Sequence, residues 1–267
     1  MPANRISKRL FKNWRLIGQM AYKEISDHYA GSVFGVFWTV LKPLSLIALY
    51  AVIFTFVFKV PVGGNNAPIN YALFALAGLI PWISMSEALV KSIAAVSSKS
   101  ALVKQAIFPI EVLPVSSVLA SILPMIIGFI IFLLIVIVSV PSKLTPLMLL
   151  LPLIIFLQFL FTVGTSYFLA SAGVYLKDLS ELVALLLTVG MFITPILYIE
   201  NMIPTAFAWS INFNLFAHLI YMYKDVLFYG AIIHPWSFWI FGAAAVIIFI
   251  SGHYFFKKVK HYFANIL

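Results

Sequence analysis

The sequence has no cysteine among its 267 residues, and only 9% of them are charged. The first absence excludes a disulfide framework, a thiolate metal site and a thiol nucleophile. The second excludes an ordinary globular domain, in which about 25% of residues carry charge. Catalytic signatures are missing too. No glycine is followed by lysine, so the phosphate-cradling G-x-x-x-x-G-K-[ST] loop is absent. There is no H-E-x-x-H, no metal spacing among His28, His218, His234, His253 and His261, and no G-x-S-x-G elbow. Each lone histidine reads as an interfacial or hydrogen-bonded residue. What the chain has instead is apolar surface: 63% hydrophobic residues, with 25 Phe, 12 Tyr and 6 Trp. A soluble chain of this length cannot hide so much of it. The sequence is that of an integral membrane protein, and disordered, disulfide-rich and nucleic-acid-binding classes fall away.

A membrane-crossing helix needs about 20 mostly apolar residues. Six stretches qualify: 36–58, 69–90, 112–140, 146–172, 182–199 and 236–256. Turn-forming residues separate them, notably Pro61-Val62-Gly63-Gly64-Asn65-Asn66 and Pro141-Ser142-Lys143. Asp178 and Glu181 have capping-box spacing at the start of the fifth stretch. Pro81, Pro114, Pro124, Pro152 and Pro195 predict kinks. Residues 1–30 lack a long apolar run and carry Arg5, Lys8, Arg9, Lys12, Arg15 and Lys23, so no cleaved secretory signal is expected.

The 17 basic residues outnumber the 8 acidic ones, for a net charge of +9. In a membrane protein this reports cytoplasmic loops and contact with anionic lipid. The N-terminal cluster falls on the same side as Lys91, Lys99, Lys104, Lys177, Lys257, Lys258 and Lys260, against Lys59, Lys143 and Lys224 on the other. Both termini are therefore expected in the cytoplasm. A seventh crossing within 200–234 would put the Lys257–Lys260 cluster outside. That segment reads either as one or two short helices dipping into the outer leaflet and returning, or as an outer-surface amphipathic helix. Residues 5–25 form an amphipathic helix, with Ile6, Leu10, Trp14, Ile17, Ala21 and Ile25 on one stripe, suited to the cytoplasmic headgroup plane. The expected fold is an all-α polytopic membrane protein, a single transmembrane domain over 1–267. Its parts are a cytoplasmic helix and lead-in (1–32), spans one to five (33–199), the outer re-entrant segment (200–234), and span six with a basic tail (235–267).

Ionisable groups at membrane depth mark function by default, and the spans hold few. Lys42 lies near the start of span one, within snorkelling reach of the interface, and Glu87 near the cytoplasmic end of span two. No series of acids and histidines resembles a proton relay, and no repeat relates the two halves, which argues against an ion-coupled carrier. Aromatic rings suit stacking on the C–H faces of sugars, and they also serve as ordinary lipid-facing and belt residues. Short loops leave no room for a soluble catalytic domain. If ATP drives this protein, another chain hydrolyses it.

Several stretches carry a family resemblance. Asp27-His28-Tyr29-Ala30-Gly31-Ser32-Val33-Phe34-Gly35-Val36-Phe37-Trp38, with Pro43-Leu44, is similar to the lead-in to span one of the membrane subunits of bacterial polysaccharide-exporting ABC transporters, the O-antigen, capsule and teichoic-acid permeases. His28 stands there for the usual Arg. Gly78-Leu79-Ile80-Pro81-Trp82 with Ser86-Glu87, Leu102-Val103-Lys104-Gln105-Ala106-Ile107-Phe108-Pro109 with Leu113-Pro114, Tyr175-Leu176-Lys177-Asp178-Leu179, and Thr194-Pro195-Ile196-Leu197-Tyr198 resemble further family motifs. Asn214-Leu215 ahead of Tyr223-Lys224-Asp225 resembles an outer N-P…Y-R-D segment without its proline.

The resemblance implies a homodimer joined by two ATP-binding cassette subunits in the bacterial inner membrane, with no cofactor in this chain and ATP and Mg on its partner. It implies an exported polysaccharide on a polyprenyl-diphosphate lipid, O-antigen first and capsule or teichoic acid second. It makes Ser98, Lys99, Lys104, Gln105 and Phe108 the ATPase-coupling loop, and spans one and five the pore walls. On those spans Phe34 and Trp38, then Tyr50, Phe54 and Phe58, recur at i+4, and Phe192 and Tyr198 are the candidates on span five. Arg5, Arg9, Arg15 and Lys42 are candidates for the lipid diphosphate, or for phospholipid headgroups. The rival readings are a drug or small-lipid exporter of the same fold and a membrane-embedded transferase.

Overall fold

In lipid every backbone N–H and C=O needs an internal partner, and helices supply one within each segment. The computed structural model describes residues 13–28, 30–53, 68–105, 108–199 and 211–267, and among these it contains helices and no strand. The helices are α1 (Trp14–His28), α2 (Trp38–Val52), α3 (Pro68–Ala94), α4 (Ser100–Val103), α5 (Val112–Ser139), α6 (Leu151–Gly173), α7 (Leu179–Ile193), α8 (Leu215–Lys224), α9 (Pro235–Val259) and α10 (Phe263–Ile266). Helix α8 runs on into a π-helical turn, Asp225–Tyr229.

Among the described residues, four stretches are long and apolar enough to cross a membrane: Tyr71–Ala94, Val112–Ser139, Pro146–Gly173 and Pro235–Tyr262. The other two expected spans are shorter. Helices α2 and α7 have 15 residues each, about 22 Å of helix against a hydrocarbon core of about 30 Å. The expected continuation of α2 to residue 58 lies outside the described residues. Helix α7 stops at Ile193 rather than 199, because Thr194 is extended (ψ 138°) ahead of Pro195. A residue before proline is pushed out of the helical region, and the proline itself brings no N–H. Asp178 does occupy the N-cap of α7, but its side chain makes no capping bond. Pro81 and Pro124 lie inside continuous helices. Pro114 and Pro152 sit in first turns, where the N–H has no helical partner anyway.

Helix α3 is the hub. It packs against α2, α5, α6, α7 and α8, and 78% of its most apolar stretch is buried, against 22–39% for the other three long helices. Helices α6 and α9 lie side by side. Helix α1 lies along α5, with Ile17 and Ala21 of the expected stripe buried. Ile25 is half-buried, Trp14 on the same stripe is exposed, and Ile6 and Leu10 lie outside the described residues.

Of the long helices, α3, α6 and α9 run one way and α5 the other, which gives the bundle two ends. One end gathers α1, the 95–111 loop and the C-terminal ends of α6 and α9. The other gathers the 140–146 turn, the 194–199 segment and Asp225–Tyr229, where Lys143 Nζ donates to the carbonyl of Phe228 at 3.3 Å. The charge sorting expected from sequence reappears as geometry. Lys99, Lys104, Lys257, Lys258 and Lys260 lie at the first end, and Lys143 and Lys224 at the second.

Candidate functional site

Two constructions stand out, one at each end. At the lysine-rich end a short loop joins α3 to α5. It makes a 3-10 turn at Ser97–Lys99, then the helical turn of α4, which stops at Val103. Ser98, Lys104 and Gln105 are exposed. Lys99 turns inward, and its Nζ donates to Glu24 Oε2 on α1 at 3.2 Å, an oxygen that also accepts from Ser117 Oγ at 3.0 Å. Phe108 packs against the core shared by α1, α5, α6 and α9. Just before α5, Glu111 Oε1 accepts from Lys260 Nζ at 2.6 Å, and its carbonyl accepts from the Tyr167 hydroxyl at 3.2 Å. Burial by itself would raise the Glu111 carboxyl, but the hydrogen bond from Lys260, a backbone hydrogen bond and the charges of Lys260 and His253 together hold the group below the usual carboxylate range.

At the opposite end the backbone leaves helical geometry after α7 while still inside the protein. Orphan carbonyls there need donors. Lys224 Nζ supplies Pro195 at 2.5 Å and Ile196 at 3.0 Å, and the Tyr71 hydroxyl supplies Leu197 at 2.7 Å. The Tyr198 hydroxyl folds back to Ile193 at 2.7 Å, and Asn214 Nδ2 donates to Thr194 Oγ1 at 3.1 Å. The same Asn214 caps α8, its Oδ1 accepting from the N–H of Phe216 and Ala217.

Consecutive helical positions point about 100° apart, so Tyr223, Lys224 and Asp225 reach three different neighbours. Tyr223 donates to Gln158 Oε1 on α6 at 2.6 Å, and Gln158 Nε2 donates to the carbonyl of Pro81 on α3 at 3.0 Å. Lys224 holds the end of α7. Its ammonium lies 3.4 Å from the centroid of the Phe74 ring, a cation–π contact that replaces part of its lost hydration, and the residue is 2% exposed. Asp225, fully buried, accepts from the N–H groups of Ile233 and His234 at 3.0 and 2.8 Å and meets His234 Nδ1 at 2.8 Å, which fixes the lead-in to α9. The His234 ring stacks on Tyr221 with centroids 4.1 Å apart. A cavity of about 120 Å³ opens beside Tyr198, Tyr221, Lys224, Tyr229 and His234. Gly230 closes the π turn with φ +65°, and a Cβ there would lie 2.6 Å from Thr145 Cγ2.

The expected site residues are distributed unevenly. Phe34 and Trp38 meet edge to face, centroids 5.7 Å apart, with Phe34 mostly exposed. Tyr50 lines a small cavity between α2, α3 and α5. Phe192 is 63% exposed on α7. Lys42, in the second turn of α2, and Arg15, in the first turn of α1, are exposed. Phe54, Phe58, Arg5 and Arg9 lie outside the described residues. Tyr198 is brought to the Lys224 cavity instead of standing alone on a span.

The sequence reading placed Lys224 and Asp225 in the outer re-entrant segment but gave neither a buried partner. It also missed Glu24, Glu111 and Gln158. The signal available was three adjacent polar residues, Tyr223, Lys224 and Asp225, inside the apolar run from Leu215 to Tyr229. A surface amphipathic helix would not place its charges there.

Residues 15–228 match the family described as ABC-2 type transporter. The chain is also similar to curated proteins. It is 30% identical over 251 residues, 92% of each chain, to the O-antigen export system permease protein RfbA of Klebsiella pneumoniae. It is 26% identical over 263 residues, 98% of each chain, to the O-antigen export system permease protein RfbA of Myxococcus xanthus.

Proposed function

Because the chain belongs to the ABC-2 type transporter family, we propose that it is the membrane subunit of an ATP-driven exporter of lipid-linked polysaccharide, with O-antigen the first-choice cargo. The observation that carries this reading is similarity along nearly the whole chain to permeases named for O-antigen export. In this reading ATP and Mg are bound by a separate ATPase subunit, which docks on the exposed residues Ser98, Lys104 and Gln105 at the lysine-rich end. That end faces the cytoplasm, and the six apolar helices, the short α2 and α7 among them, cross the membrane. Helix α1 lies at the cytoplasmic interface, and the buried α8 segment is the re-entrant element of the outer leaflet.

A sugar polymer is polar and must be shielded from lipid tails. One protomer has too few helices to enclose it, so two copies form the path between them. The exposed face of α7, with Leu182, Leu185, Val189 and Phe192, and the exposed Phe34 before α2 with the half-buried Trp38 and Tyr50 on it, supply its walls. Basic residues at the cytoplasmic entrance, Arg15 and Lys42 among them, meet the lipid diphosphate. Deleting the protein tests the cargo. Surface O-antigen should vanish while its lipid-linked form accumulates inside, and the purified chain should bring down an ATPase subunit. Unchanged surface glycan with a changed drug or phospholipid efflux would refute the polysaccharide reading.

A further inference from the structure

The loop between α3 and α5 is tied at both ends to elements distant in sequence. Lys99 reaches Glu24 across 75 positions, and Glu111 reaches Lys260 across 149. The second tie is the drier one, with side chains 20% and 13% exposed. Lys260 opens the 3-10 turn that follows α9. Beyond it Phe263 is fully buried, edge-on to Phe256 with centroids 5.5 Å apart, in one core with Val103 of the loop. Helix α10 packs against α4. The chain's last turn is therefore built into the loop by one charge-assisted bond and one aromatic plug.

A loop held only through its covalent ends passes displacement to the two helices it joins, here α3 and α5. A short ionic bond to a third element adds a route. Such bonds are about twice as strong as neutral ones and hold a narrow geometry. We infer that the Glu111–Lys260 pair is a strut that carries movement of the ATPase-facing loop into α9, so that residues 260–267 belong to the coupling apparatus. This rests on the exporter reading above, in which the loop is where an ATPase pushes. Helix α9 is a suitable receiver, because it lies against α6 along its length and moves with it. Glu111 and Lys260 are positioning residues here. Neither needs to touch ATPase or glycan.

The test uses the full chain co-expressed with the ATPase subunit that purifies with it. Lys260→Glu, Glu111→Lys and the combined exchange are compared for ATPase retained, ATP hydrolysis in proteoliposomes and glycan at the cell surface. The single reversals should keep the complex and at least half of its ATP hydrolysis but lose export roughly tenfold, and the exchange should restore it. That split between hydrolysis and export is something a merely structural pair would not produce. Lys260→Met and Glu111→Gln, which remove charge and keep bulk, decide the matter if the reversals fail to assemble. Assembled neutral variants that export like the parent overturn the strut. So does an assembled double exchange that stays uncoupled. A parent chain that brings down no ATPase, or whose deletion leaves surface glycan intact, overturns the exporter reading instead.

Discussion

A methyl group placed on Gly252 would lie 2.1 Å from the carbonyl oxygen of Gly164. Helices α6 and α9 thus meet backbone to backbone, the close approach that small residues allow between helices in lipid. Gly252→Ala must push the helices apart. Overpacking of this kind costs about 1–3 kcal/mol, and the thermal midpoint of the detergent-purified protein should fall accordingly. Gly242→Ala on the same helix should leave that midpoint unchanged, since its nearest neighbour would be Leu157 Cδ1 at 3.9 Å.

Lys224→Met should destabilise the end of the bundle opposite the lysine-rich one. It strands the carbonyls of Pro195 and Ile196, and each buried unsatisfied group costs about 1–3 kcal/mol. Tyr223→Phe removes one bond to Gln158 and should cost less, about 0.5–1.5 kcal/mol. Limited proteolysis in the 194–199 segment reads both, and Lys224→Met as resistant as the parent would contradict the assignment.

Topology can be read without background labelling, since the chain has no cysteine. With the lysine-rich end inside, Lys143→Cys should react with an impermeant maleimide in intact cells, and Lys258→Cys should react only after lysis.

Stability should fall in acid through Glu111. Its carboxyl is held below its usual range against burial by the Lys260 bond, a backbone hydrogen bond and nearby positive charge. A group with a depressed folded-state pKa stabilises above its unfolded value, near 4, and loses that contribution as pH drops through the folded value. The melting midpoint of the parent should therefore decline below about pH 4 more steeply than that of Glu111→Gln.

Phe192→Ala gives the cleanest reading of the conduit. This ring is 63% exposed, so its loss should reduce export with little change in melting. Tyr198→Ala should lower both, because the Tyr198 hydroxyl also ties back to Ile193.

Hydropathy located the four long helices within a few residues, because a run of apolar residues bounded by Pro, Gly and Lys leaves little freedom in lipid. Charge located the two ends for the same reason. The end of α7 was misplaced, since its apolar run continues to Ile199 and only Pro195 marks the stop. Windowed hydropathy cannot distinguish a polar residue facing lipid from one facing a carbonyl, so Lys224 was placed in the outer re-entrant segment with no partner. The loop between α3 and α5 was legible as the break between two apolar runs, but its ties to Glu24 and Lys260 were not, because nothing local in the sequence encodes partners 75 and 149 positions away.

Lys224 and Asp225 also set a schedule for biosynthesis. The carbonyls that bind the cation precede it by 29 and 28 residues, whereas the N–H groups that bind the anion follow it by 8 and 9. When the ribosome has made residue 225, the positive half of the pair already has its ligands and the negative half has none. The segment can be sealed only after His234 has emerged. Truncation between those two points should leave a nascent chain whose Asp225 carboxylate has lost every partner of its buried site, one that quality-control proteases can tell from a chain a few residues longer.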